Sequence, residues 1–246
     1  MATAAHVHPG PGPGSQPDRS PGAYCRPIGS IGTLNEGSLH AALKELYAEP
    51  GDEFEFALDG FVIDIRRRDR LIEIQTGSFG AMGRKLDRLL SGHRVLVVHP
   101  LAVETYLHKG EAKPRRSPKR RTLYSMFDEL VSMPTLLDHP HFELEIVLTV
   151  EDRIQVEDAD LRRRRGGWRT VDRRLREVRS RHRFRTVDDL VPLVPPELPA
   201  VFNTADLAAA TGISRPSAQK MAFCLRATGL FDPVRRTRQG VEYRRR

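Results

Sequence analysis

The stretch GFVIDIRRRDRLIEIQTGSF, residues 60 to 79, holds two carboxylates whose spacing could do chemistry. It reads as two short strands joined by a tight basic turn. With Arg68 and Asp69 at the tip, Asp64 falls opposite Glu73, and Gln75 follows two residues on. Residues directly opposite share a face, and side chains alternate along each strand. Ile63, Ile65, Ile72 and Ile74 are then expected on one side, with Asp64, Glu73 and Gln75 on the other near Val62 and Leu71. Like charges directly opposite in a ladder are destabilising. A divalent cation resolves that repulsion. Two carboxylates and a carbonyl oxygen are hard ligands suited to Mg²⁺, which keeps several waters and binds phosphate as well. Such an ion can polarise a phosphoryl oxygen and lower the pKa of an attacking water. The plainer reading is a solvated polar face with Arg66 as counter-ion, the usual state of strand charges.

The elements that must position this hairpin follow from periodicity. Residues 1 to 30, dense in Pro and Gly, read as an unfolded tail. Order is expected from IGTLNEGSLHAALKELY, where Leu39, Leu43 and Leu46 recur at helical spacing with Tyr47 beside them. Thr33 and Glu36 match a capping box at its start. EFEFALDG leads into the hairpin. GSFGAMGRKLDRLLSGH predicts a second helix with Met82, Leu86, Leu89 and Leu90 inward, and RVLVVHP predicts a strand buried on both faces. Helix, strand, strand, strand, helix, strand implies an α/β fold, a mixed sheet with helices packed on it. HKGEAKPRRSPKRR predicts a basic loop and TLYSMFDELVSM a helix. HFELEIVLTVEDRIQVE predicts a strand pair, and RRRRGGW an exposed loop. VDRRLREVRSRHRF fits either a helix, through Val171, Leu175 and Val178, or a basic strand.

Of the 246 residues, 39% are hydrophobic and 29% charged, as expected of a globular chain. The net charge of +8 favours a polyanionic partner, most often nucleic acid. A GC-rich coding bias would explain the preference for Arg over Lys, but not the excess of basic over acidic residues. Cys25 and Cys224 offer neither a disulfide framework nor a Cys-based zinc site. No stretch approaches the roughly 18 apolar residues of a membrane span, and the N-terminus lacks the apolar core of a signal peptide. The expectation is a cytoplasmic protein with no membrane partner.

The hairpin and its neighbours resemble the core of the PD-(D/E)XK nucleases, the restriction-endonuclease-like fold. That core has a strand carrying Asp, a hairpin, a strand carrying Glu-x-Lys, then a helix and a strand. Here the signature reads Asp64, eight residues, then Glu73-Ile74-Gln75. The resemblance covers residues 33 to 110. It extends to a group of bacterial and archaeal proteins that join this core to a C-terminal winged helix. It implies a Mg²⁺ or Mn²⁺ site on Asp64, Glu73 and the Ile74 carbonyl. Gln75 stands at the usual lysine position, a departure known among restriction enzymes of this kind; a neutral amide can orient water but supplies no positive charge. Lys85, on the following helix, is where some members place the missing lysine, and it reads equally as a snorkelling surface residue. Glu36 matches an acidic residue that supports the metal in many members, with the capping box as its alternative.

VPLVPPELP marks a boundary between a nuclease-like domain, residues 31–190, and a small C-terminal domain, residues 191–246. In the latter, TADLAAAT predicts a short helix after an Asn/Thr cap. SRPSAQKMAFCLRATGL predicts a longer one begun by Ser214 with Pro216 in its first turn. PVRRTRQGVEYRR predicts a two-stranded wing around Gln239-Gly240. Helix, turn, helix, wing is the plan of a winged helix-turn-helix domain. Arg215, Ser217, Gln219 and Lys220 would then face base edges and phosphates, and Arg235, Arg236 and Arg238 the backbone or minor groove. Ala218, Met221 and Leu225 would form its core. A protein-binding winged helix is the alternative. The expected function is metal-dependent endonuclease action on DNA, probed as a double strand, with a homodimer as one assembly to test. The alternatives are a DNA-binding regulator with an inert nuclease-like domain, or an RNA-processing protein.

Overall fold

The computed structural model describes residues 37–161 and 167–246. Thr33, Glu36 and residues 162–166 of RRRRGGW therefore lie outside the described residues. The chain forms α1 (Ser38–Tyr47), β1 (Glu53–Leu58), β2 (Phe61–Arg67), β3 (Arg70–Ile74), α2 (Gly83–Leu89) and β4 (Arg94–Lys109). β5 (Arg115–Arg116), α3 (Phe127–Leu130), β6 (Phe142–Glu157) and β7 (Trp168–Phe184) follow. The C-terminal part contributes β8 (Phe202–Asn203), α4 (Thr204–Thr211), α5 (Arg215–Ala227), β9 (Phe231–Thr237) and β10 (Gly240–Arg245).

The large sheet runs β1-β2-β3-β4-β6-β7, with β5 added to the edge of β4. β4 is parallel to both β3 and β6, and the remaining pairs are antiparallel. Period-two alternation sorts the centre cleanly. Ile72, Ile74, Leu96 and Val98 pack under α1 with Leu39, Leu43 and Tyr47. Leu71, Val95 and Val97 face the other way, toward Leu86 and Leu89 of α2 and Phe127 and Leu130 of α3. That second layer runs without a break into Phe202, Leu207, Met221, Leu225 and Phe231 of the C-terminal part.

The helix–strand order expected up to β4 stands, and so do the inward Met82, Leu86, Leu89 and Leu90. Four expectations are corrected. Leu46 is 41% exposed, because Leu39, Leu43 and Tyr47 already fill the stripe that α1 presents to the sheet. RVLVVHP is only the buried start of a 16-residue strand, and HFELEIVLTVEDRIQVE is one strand, not two. In both, the polar half continues the ladder beyond the core, where one face meets solvent and apolar patterning fades. VDRRLREVRSRHRF belongs to the 17-residue β7, the basic-strand alternative. The wing turn is Arg238-Gln239, one residue earlier than expected, since Gly240 already pairs with Thr237.

The C-terminal helices are capped as their sequences predict. The Asn203 side chain accepts from the Ala205 and Asp206 amides, and Asp206 returns a bond to the Asn203 amide. Gly212, with φ of 67°, ends α4, and Ser214 caps α5. β8, β10 and β9 form a three-stranded sheet against these helices. Ala218, Met221, Cys224 and Leu225 are buried.

Candidate functional site

β2 and β3 pair outward from their two-residue turn, Arg67 with Arg70, Arg66 with Leu71 and Ile65 with Ile72, and the ladder stops there. Asp64 comes next. Its Oδ2 accepts the Ile74 N–H at 2.7 Å, so a side-chain carboxylate takes a bond that a backbone carbonyl would accept in a continued ladder. On the other edge, β1 pairs Phe54 with Ile65 and Phe56 with Ile63. Glu55 between them sits at φ of 51°, a left-handed conformation unfavourable for a residue with a side chain. The strand rotates at this point. Ile63 enters the α2-side cluster while Ile65, Ile72 and Ile74 stay under α1, so the four isoleucines do not share one face.

Where the ladder of β2 and β3 stops, the Asp64 charge is near enough to act on Glu73. His40 of α1 places Nε2 3.2 Å from Asp64 Oδ2. Burial pushes the Asp64 carboxyl up, but the bonds from His40 and the Ile74 amide, with the charges of His40 and Lys85, outweigh it. The group is held below the ordinary carboxylate range. Glu73 is approached from α2. Lys85 Nζ donates to Glu73 Oε2 at 2.6 Å and to the Val62 carbonyl at 2.7 Å. Burial pushes Glu73 up to about 7, Lys85 draws it down, and the Asp64 charge raises it again. Burial wins over a short ion pair here because Glu73 is 5% exposed. Its Oε1 is buried with no hydrogen-bond partner. Two neighbouring carboxylates with pKa values driven apart are a frequent mark of a functional site.

Gln75 is fixed at both backbone atoms. Its N–H donates to Val98 O at 2.8 Å, and its carbonyl accepts from His99 Nδ1 at 2.7 Å. Burial lowers the His99 pKa, so the ring stays neutral and Nδ1 carries its proton toward that carbonyl. The Gln75 side chain donates to Ser78 O at 2.7 Å. The Ile74 side chain is buried under α1. Beyond β3, the Thr76 carbonyl accepts from Arg173 of β7 at 2.9 Å.

Asp64 and Glu73, with the orphaned Glu73 Oε1, offer the oxygen set a hard divalent cation takes. Among the described residues no group of three or more His, Cys, Asp or Glu is arranged to hold a metal.

The nucleic-acid candidates lie on α5 and the β9–β10 wing. Arg215 donates to the Gln239 carbonyl at 2.8 Å, joining the start of α5 to the wing turn. Ser217 packs against the Ser214 hydroxyl, and Gln219 is exposed. Lys220 is paired with Asp128 of α3 at 2.8 Å, and Arg235 with Glu242 at 2.7 Å. Arg236 and Arg238 are exposed.

Sequence reasoning missed His40, His99 as the clamp on Gln75, and Arg173. His40 borders the Leu39–Leu43 stripe, and this is its only signal in the sequence; its meeting with Asp64 is a tertiary contact 24 residues away.

No helix among the described residues is long and apolar enough to cross a membrane. No solved structure matches the chain. An "Uncharacterized protein" of Treponema pallidum (strain Nichols) is 34% identical over 210 residues, covering 83% of this chain and 83% of its own. Residues 37–185, which hold Asp64, Glu73, Gln75 and Lys85 but not the C-terminal helices, match a family model. The chain belongs to that family, described as Domain of unknown function (DUF8091).

Proposed function

We propose that this chain is a metal-dependent phosphodiesterase of the PD-(D/E)XK kind, acting on DNA and targeted by a C-terminal winged helix. The observation that carries the reading is the Lys85–Glu73 contact. It brings a cation from α2 to the carboxylate that Gln75 accompanies, which is the charge a neutral amide cannot supply. Asp64 and Glu73 would hold Mg²⁺ or Mn²⁺, with the Ile74 carbonyl as a further oxygen. When bound, the ion supplies a Lewis acid for the phosphoryl oxygen and the attacking water. Asp64 is ionised and oriented by His40 and the Ile74 amide. Glu73 takes up or releases a proton near neutrality. Lys85 stabilises negative charge developing beside it. The exposed Arg215, Arg236 and Arg238 would hold the duplex.

An inert nuclease-like domain on a DNA-binding regulator is the second reading. One observation favours it: the Gln75 amide is tied to Ser78 O and does not stand free to orient water.

The test is cleavage of mixed DNA and RNA substrates with Mg²⁺ or Mn²⁺. Wild type should cut DNA, and Asp64→Ala should lose several powers of ten in rate with DNA affinity retained. Lys85→Met should lower the rate without changing affinity. A wild type that binds duplex DNA and cuts nothing overturns the enzyme reading in favour of the regulator. Cleavage of RNA alone moves the substrate class.

A further inference from the structure

A cavity of about 200 Å³ lies at the opposite end of α1 from His40. At about 1.5 Å rise per residue, Tyr47 stands about 10 Å along the helix from His40. Ile72 of β3, Leu96 of β4 and Glu145 of β6 line the cavity on the sheet side. Leu46, Tyr47 and Glu49 line it at the end of α1. The rest of its lining is basic, with Arg67 and Arg70 from the hairpin and Arg181 and Arg183 from β7.

These arginines differ in what they already hold. Arg67 is spent. Its Nε and Nη2 donate to Asp52 at 2.8 Å, Nη1 to Glu49 at 2.6 Å, and Nη2 also to the Tyr47 carbonyl at 2.5 Å. It thereby neutralises the carbonyl end of α1 and the two carboxylates beside it. Arg70 commits only Nη2, to Glu143 at 2.9 Å, and its Nε and Nη1 have no hydrogen-bond partner among the described residues. Arg183 gives Nε to the same carboxylate at 2.8 Å. Its Nη2 lies 2.8 Å from Glu143 Oε2 in a geometry that makes no hydrogen bond, so a buried donor is unmet. Its Nη1 stops 3.7 Å from Glu145 Oε2, beyond hydrogen-bond reach. Arg181 makes no hydrogen bond or ion pair among the described residues, and its guanidinium lies over the Tyr47 ring, 4.9 Å from the centroid. Glu145 already accepts the Tyr47 hydroxyl on Oε1, and burial with that bond keeps Tyr47 protonated. The cavity is thus rich in donors and short of acceptors, and unmet buried donors are costly.

We propose that Arg70, Arg181 and Arg183 bind one phosphate group in this cavity. Their uncommitted donors come from β3 on one side and β7 on the other, strands that β4 and β6 separate. A tetrahedral anion has oxygens to accept from both sides, whereas a planar carboxylate matches one guanidinium fork. Arg181 supplies a positive charge that no carboxylate offsets, and Arg183 Nη1 trades a long approach to Glu145 for a direct bond. The same group occurs on a nucleic-acid backbone, at a nucleic-acid end and as free phosphate. Asp64, Glu73 and Lys85 do not line the cavity, so the site stands or falls independently of cleavage.

Inorganic phosphate is titrated into the full chain without divalent cations. Binding is read by calorimetry and by thermal unfolding, against chloride at matched ionic strength to separate binding from screening. Wild type should bind phosphate, and Arg181→Met should weaken it by about tenfold or more, the loss expected when a charge-assisted donor pair is removed. Arg181 holds only the Tyr47 ring face, on which a thioether also packs, so this variant should fold. Arg70→Met should weaken phosphate in the same direction, with Glu143 still held by Arg183. Arg179→Met is the charge control. Arg179 pairs with Glu177 at 2.9 Å and does not line the cavity, so this variant should bind phosphate as wild type does. The site is overturned if wild type binds no phosphate, if Arg181→Met and Arg70→Met bind it as wild type does, or if Arg179→Met loses as much as Arg181→Met. Short DNA duplexes with and without 5′-phosphates then identify the source by competition. Displacement of phosphate by both assigns the site to a backbone phosphodiester, displacement by the phosphorylated duplex alone to a terminal phosphate, and displacement by neither to free phosphate.

Discussion

Glu73 sets the behaviour of the candidate site with pH. The folded chain keeps its proton up to about pH 7, whereas the unfolded chain releases it near its ordinary 4.5. Between those values the folded state binds more protons, so stability falls as pH rises through the window. The shift corresponds to about 3 kcal/mol, at 1.36 kcal/mol per unit. Glu73→Gln should remove this dependence: measured by urea unfolding at pH 4.5 and pH 8, wild type should lose about 3 kcal/mol relative to the variant. Equal pH profiles would mean that Glu73 is ionised throughout and that Lys85 outweighs burial. If Asp64 and Glu73 hold Mg²⁺ as proposed, the ion competes with the Glu73 proton, so its apparent affinity should rise with pH up to about 7 and level off above. Hairpin symmetry led to Asp64 and Glu73 because register depends on near neighbours, yet the ladder behind that reading stops at Ile65–Ile72 and the isoleucines divide between two clusters. His40 could not be read from the sequence, since its distance to Asp64 depends on how α1 settles on the sheet. Nor could the rotation at Asp64, which follows from the carboxylate accepting the Ile74 amide and from the left-handed Glu55.

At the scale of elements, β4, β6 and β7 carry the molecule well beyond the hairpin. The buried halves of β4 and β6 were legible as alternating or continuous apolar runs. Their polar halves were not, because those strands are held by ladder bonds and cross-strand ion pairs that leave no apolar period. The Arg173–Glu151 pair is the clearest of these. Glu151 has no exposed surface, so removing its partner leaves a buried carboxylate uncompensated. Arg173→Met should destabilise the chain by about 3–5 kcal/mol in chemical denaturation. The double variant with Glu151→Gln should recover most of that loss. A cost below about 1 kcal/mol for the single variant would mean that the pair behaves as an exposed one. The caps of α4 and α5 lie at the opposite extreme of legibility. Asn203, Asp206, Gly212 and Ser214 act on amides within a few residues, and the sequence alone places them.

Across the whole molecule, the C-terminal helices share one apolar layer with α2, α3 and the sheet, and Lys220 ties α5 to Asp128. A part held this way should not melt apart from the rest, so residues 37–246 should unfold in one transition by calorimetry; two resolved transitions would contradict the shared core. The same packing decides which basic residues remain available to a polyanion. Lys220 and Arg235 are each neutralised by a carboxylate, Asp128 and Glu242. Arg236 and Arg238 have no carboxylate within ion-pair distance among the described residues, and Arg215 spends one nitrogen on a neutral carbonyl and keeps its charge. If the C-terminal part holds duplex DNA, the free charges should carry the salt dependence. Each phosphate contact contributes about 0.9 to the slope of log affinity against log salt. Arg215→Ala, Arg236→Ala and Arg238→Ala should each flatten that slope by about one unit. Arg235→Ala should change it little, since it also releases Glu242 as a repelling charge. Lys220→Ala should act chiefly through the lost tie to α3, lowering stability more than it lowers the slope. Fluorescence titrations of a duplex at several salt concentrations give all five slopes. Slopes that stay equal to wild type in every variant would exclude this face as the DNA contact and leave a protein partner as its occupant.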